Sequence, residues 1–156
     1  MKRHTVAVLA ALVAAGSVVA AASAIATPGQ ASVLIRHQVR GCHSWSVNGG
    51  AFKASQSIVL RRGGFMTVTN NDVMPHRLVK TSGPTVQIKN LQTGMTGMGM
   101  HRSSLPGGMS NMGASVKVTF SKAGIYQFTT RPGEDYMSGM KTIGEDNVLH
   151  LKVTVR

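Results

Sequence analysis

The stretch "YQFTTRPGEDYMSGMKTIG", Tyr126 to Gly144, decides how the chain is read. Tyr126, Phe128 and Thr130 alternate with their neighbours at the two-residue period of a strand that buries one face. Pro132 and Gly133 then end that strand, because proline gives up a ladder donor and glycine accepts the backbone angles of a reversal. Beyond the turn come Glu134, Asp135, Glu145 and Asp146, four of the five acids in the whole chain. In a protein with 17 Lys and Arg residues and a formal net charge of +12, that clustering marks a local task.

Working outward, the same alternation of Val, Thr and Ile recurs between Gly, Pro and Asn clusters, and no segment shows a helical period. The pattern predicts strands at Val33–Trp45, Gln56–Arg62, Phe65–Asn70, His76–Thr81, Thr85–Leu91, Ser115–Ser121, Gly124–Thr130 and Asn147–Val155. Turns are expected at Asn48–Gly50, Arg61–Gly64, Asn70–Asp72, Ser82–Pro84 and Lys122–Gly124, where Gly and Asn supply the required angles. About eight strands of this length fit an all-β sandwich of two packed sheets with Greek-key connections.

Lys2 and Arg3 precede the apolar run "TVAVLAALVAAGSVVAAASAIA", which ends in small residues, the layout of a secretory leader. The expectation is a signal peptide over 1–26, cleaved after Ala24 or Ala26, and one domain over 27–156; an uncleaved anchor is the alternative. Export to a periplasmic or extracellular space agrees with the cysteine count. A domain stapled by disulfides needs pairs, and this chain has Cys42 alone, so its stability must come from a packed core. Without Lys2 and Arg3 the chain still carries about +10. Outside the cytoplasm that charge points away from nucleic acid and toward an anionic partner protein or cell-envelope surface, with a charged, solubilising coat as the plain alternative. A monomer is expected.

One segment does not read as strand. "TGMTGMGMHRSSLPGGMSNMG", Thr93 to Gly113, is too rich in glycine for a strand and too long for an ordinary connection. It holds Met95, Met98, Met100, Met109 and Met112, half of the chain's 10 methionines, together with His101. On a solvated loop these thioethers would bury nothing, so packing explains them poorly. The expectation is a methionine-rich loop over 93–113 that binds Cu(I), for which soft sulfur donors are suited; an adaptable apolar flap is the other reading.

The segment "VTNNDVMPHRLV", Val68 to Val79, sets a strand, a polar turn and then His76 at the start of the next strand. Here the sequence resembles the cupredoxin family, in which an Asn-Asp turn like Asn71–Asp72 precedes the first imidazole ligand of a copper ion. The resemblance runs from about Trp45 to the C-terminus. It continues in Tyr126 and Phe128, which match aromatic positions of a late strand, and in Met140, which matches the weak axial ligand. It implies a mononuclear copper site with His76 and Met140 as donors.

The departures matter as much. Where the family carries its thiolate the sequence has Thr130, and where "PGH" would bring the second imidazole it has "PGE", ending in Glu134. A blue copper plane of two His and one Cys is therefore not expected from these positions. Glu134 is a substitute donor whose carboxylate suits Cu(II), or a solvated turn residue. The missing donors are sought in "VRGCHSW", where Cys42 and His43 stand side by side. Successive strand residues point to opposite faces, so a single strand offers one of the two unless a bulge at Gly41 intervenes. Trp45 reads as core and shares a face with His43.

No serine stands in a triad-like setting or a Gly-x-Ser-x-Gly elbow, so the reading is not an enzyme. The donors Cys42, His43, His76 and Glu134 would also accept zinc. The expectation is an exported copper-binding protein that holds or transfers copper. The alternatives are an electron carrier with an atypical site and a metal-free binding module that keeps the sandwich.

Overall fold

Alternation governs the strands: in β4 (Phe65–Asn70) and β10 (His150–Val155) every second side chain is buried. In a computed structural model, residues 27–37, 43–93, 105–132 and 149–156 are described. Among them the remaining elements are β1 (Gln30–His37), β2 (His43–Val47), β3 (Ser55–Leu60), β5 (His76–Ser82), β6 (Gln87–Thr93), β7 (Gly108–Met109), β8 (Ala114–Thr119) and β9 (Gly124–Pro132). The described residues include no helix. The segment 1–26, expected as a leader, lies outside them.

Two five-stranded sheets form the sandwich. One has the order β2-β1-β4-β8-β6 and the other β3-β10-β9-β5-β7, so the chain changes sheet at most connections. Pairing is mixed, with β1 parallel to β4 and β3 parallel to β10. The inner faces meet in one core: Val33, Ile35, Trp45, Met66 and Val68 from the first sheet oppose Leu60, Leu78, Phe128 and Leu151 from the second. Phe120 closes it edge-on against Tyr126, with ring centroids 4.9 Å apart.

The expected all-β sandwich is the observed class, with ten strands among the described residues where about eight were expected. The strand expected over Val33–Trp45 is two: β1 and β2 pair antiparallel, Val33 opposite Val47 and His37 opposite His43. The chain therefore reverses between 37 and 43. The second addition is β7, inside the segment expected as loop. Gly107 allows it, because its φ is 85° and a side chain there would collide with the Leu78 carbonyl. The Leu78 amide donates to the Gly107 carbonyl (2.9 Å), and Asn90 of β6 accepts from the Gly107 amide (3.1 Å) and donates to the Leu105 carbonyl (3.1 Å).

Candidate metal centre

The turn between β4 and β5 is organised by one fully buried amide. Asn70, 0% exposed, donates through Nδ2 to the carbonyls of Met74 (2.8 Å) and Met109 (3.1 Å). Its Oδ1 accepts from the Asp72 amide (2.8 Å), and its backbone carbonyl accepts from Gly113 (2.6 Å). One side chain thus ties the turn to β7. The Asn71 amide donates to the Ile35 carbonyl (2.8 Å), which fixes the turn against β1.

Within this frame Asp72 is turned inward. Its Oδ1 accepts from the Met74 amide (3.2 Å), the ring that Asp side chains close over a turn, and its Oδ2 lies 3.2 Å from His76 Nε2. Asp72 is 1% and His76 4% exposed. A carboxylate this deeply buried requires a hydrogen-bonded partner, and the imidazole N–H supplies one. Pro75 directly precedes His76, favouring an extended Met74 and ending the turn where β5 begins.

Register identifies what surrounds His76. It stands opposite Met109 on β7 and opposite Pro132 on β9, while Leu78 stands opposite Thr130. His76, Leu78 and Thr130 therefore share the inner face of the sheet. At the same end of the sandwich, Arg36, Asn71, Asp72, Val73, Met74 and Met112 line a cleft of about 290 Å³. Val73 and Met112 are 76% and 40% exposed at its mouth. Met109 is different: it is 0% exposed in the core, where packing accounts for it without solvent-facing chemistry.

Of the expected site residues, His76, Met109 and Met112 have described side chains, and all three meet at this end. His43 is placed by its backbone at the start of β2. Cys42, Met95, Met98, Met100, His101, Glu134 and Met140 lie outside the described residues. Among the described residues no three His, Cys, Asp or Glu come together as a metal shell. They bring together an imidazole and a carboxylate, His76 and Asp72, and a cleft beside Asp72 that Met74 and Met112 help to line.

Three features went unread in the sequence. Asp72 stood there only as a turn residue, although its spacing of four from His76 was the available signal. Met74 becomes visible only through the cleft that it lines with Asp72 and Met112. His37 gave no signal, because its position opposite His43 depends on the hairpin.

No family model matches the sequence, and no curated protein matches it. Cupredoxins are among the solved structures to which the chain is similar. A Cu(I) form of an amicyanin variant is 17% identical over 80% of this chain and 82% of that one, with a TM-score of 0.37. A purple cupredoxin from Nitrosopumilus maritimus is 16% identical over 80% of this chain and 98% of its own, with a TM-score of 0.37. A multi-copper oxidase from Pediococcus acidilactici is 11% identical over 86% of this chain and 28% of its own, with a TM-score of 0.41.

Proposed function

We propose that the protein binds copper at the sandwich end that carries His76, and that it holds or passes on the metal outside the cytoplasm as a monomer. The observation that supports this best is the buried pair of His76 and Asp72, held by Asn70 beside a methionine-lined cleft. A carboxylate on one ring nitrogen of a histidine orients the ring and raises the basicity of the other nitrogen, the arrangement typical of metal-binding imidazoles. Imidazole and thioether together suit Cu(I), and an added carboxylate suits Cu(II). Glu134, Met140 and one of Cys42 and His43 complete the shell in this proposal. Met95, Met98, Met100, Met112 and His101 of the 93–113 segment serve as a second, softer store for Cu(I), while Met109 belongs to the core.

The test is competition for copper against a chelator of known affinity, in both oxidation states. His76→Ala should lose tight Cu(II) binding while its circular dichroism remains that of a β-sandwich. Met112→Leu, at the mouth of the cleft, should weaken Cu(I) retention and leave stability unchanged. Copper affinity equal to wild type in His76→Ala would remove this end of the sandwich from the reading.

A further inference from the structure

Among the described residues, the outer face of the β3-β10-β9-β5-β7 sheet carries cations without counter-charges. Of the 17 Lys and Arg residues, all but Lys2, Arg3, Arg40, Arg102 and Lys141 are described, whereas of the five acids only Asp72 is, and it is buried against His76. Because Tyr126, Phe128, Leu151 and Val153 point into the core, alternation sends Gln127, Thr129 and Arg131 of β9 and His150 and Lys152 of β10 outward. There Ser55, Ser57, Gln127, Thr129, His150 and Lys152 line an open cleft of about 480 Å³.

On this face, where β5 runs between β9 and β7, Arg77 stands directly opposite Arg131. Like charges in register repel, and no described acid relieves them. Moreover, the Arg77 Nε is closed to solvent and has no hydrogen-bond partner, a costly state for a charged donor. A phosphate oxyanion set against the outer nitrogens of the two guanidiniums would relieve the repulsion between them, since guanidinium matches phosphate with paired N–H donors.

We propose that this face binds a linear phosphate polymer, anchored at Arg77 and Arg131 and running along β9 past Thr129, His150, Gln127 and Lys152. Gln127 to Arg131 spans about 13 Å of strand, so the occupant is an extended chain with several charges. Hydroxyl, amide and cationic groups are the ones that hold phosphate backbones. Among the described residues the face presents no carboxylate and no exposed aromatic ring, and so lacks a platform for stacked bases.

The experiment measures binding of inorganic polyphosphate to the full chain by titration calorimetry over a series of salt concentrations. Wild type should bind, with affinity falling steeply as salt rises. The Arg77→Gln, Arg131→Gln double variant should lose about tenfold or more, and Arg131→Gln alone, at an exposed position, should lose part of this while remaining folded. Lys89→Gln with Lys117→Gln, on the outer face of the other sheet, should bind as wild type, and copper affinity should be unchanged in all of them. The proposal is overturned if the Lys89 and Lys117 variant loses as much as the arginine variant. It is equally overturned if polyglutamate or phosphatidylglycerol vesicles bind as tightly as polyphosphate.

Discussion

His76 Nε2 and Asp72 Oδ2 lie 3.2 Å apart, with both side chains closed to solvent. The contact links the turn to the first residue of β5, so the carboxylate both folds the turn and aims the imidazole. Asp72→Asn separates these roles. The amide oxygen can still accept from the Met74 amide, so the fold should persist, but the charge behind the imidazole is gone. We expect copper affinity to fall by about 10- to 100-fold, the usual effect of removing such a supporting group, with little change in melting temperature. Chelator competition and thermal unfolding on the same samples check both halves.

Asn70 is expected to matter more for stability than for metal chemistry. Asn70→Asp keeps the shape but sets a carboxylate oxygen against the carbonyls of Met74 and Met109, to which Nδ2 now donates. One buried and one part-buried carbonyl then lose their donor and a charge is buried unpaired, costing about 3 kcal/mol or more. Denaturant unfolding reads this directly. A loss under about 0.5 kcal/mol, the size of an ordinary surface change, would mean that the turn does not depend on Asn70.

Tyr126 gives a dependence on pH. Its hydroxyl donates to the Lys122 carbonyl (2.5 Å), and burial pushes its phenol up from the ordinary value. The folded state therefore keeps a proton that the unfolded chain releases near pH 10. Stability from this source is full below that point and declines as pH rises through it toward the folded value. Tyr126→Phe should cost about 1 kcal/mol at neutral pH for the lost hydrogen bond and should flatten the alkaline decline. Unfolding curves at neutral and at strongly alkaline pH decide it; an unchanged alkaline slope in Tyr126→Phe would assign the decline to other groups.

The sandwich was legible in the sequence because burial on one face writes a period of two into β4, β5, β9 and β10. The hairpin of β1 and β2 was not, because Val33, Ile35 and Trp45 all fall at odd positions. The alternation stays in phase across the reversal between 37 and 43 and reads as one long strand. Strand β7 was hidden for another reason. Two residues show no period, and their place depends on Gly107 lying against Leu78 and on Asn90 from the other sheet. His76 was visible from its neighbours along the chain. The link from Asp72 was harder to see, since it needs a turn closed by Asn70 through contacts reaching residue 109.

Thr130 provides the sharpest test of the proposed centre. It stands opposite Leu78, two residues along β5 from His76, and shares the inner face with both. Diagonal neighbours of this kind have Cα atoms about 7–8 Å apart, close enough for two side chains to reach one ion. Thr130→Cys replaces a half-buried hydroxyl with a thiol of similar size and should leave the fold intact. If copper is bound by His76, the new sulfur should enter its shell and give a strong visible sulfur-to-copper band. Adding Glu134→His should strengthen that band by supplying a second imidazole, and adding His76→Ala should remove it. A folded Thr130→Cys protein that binds Cu(II) and shows no such band, alone or with Glu134→His, would place the metal away from the β5–β9 pair and overturn His76 as its ligand.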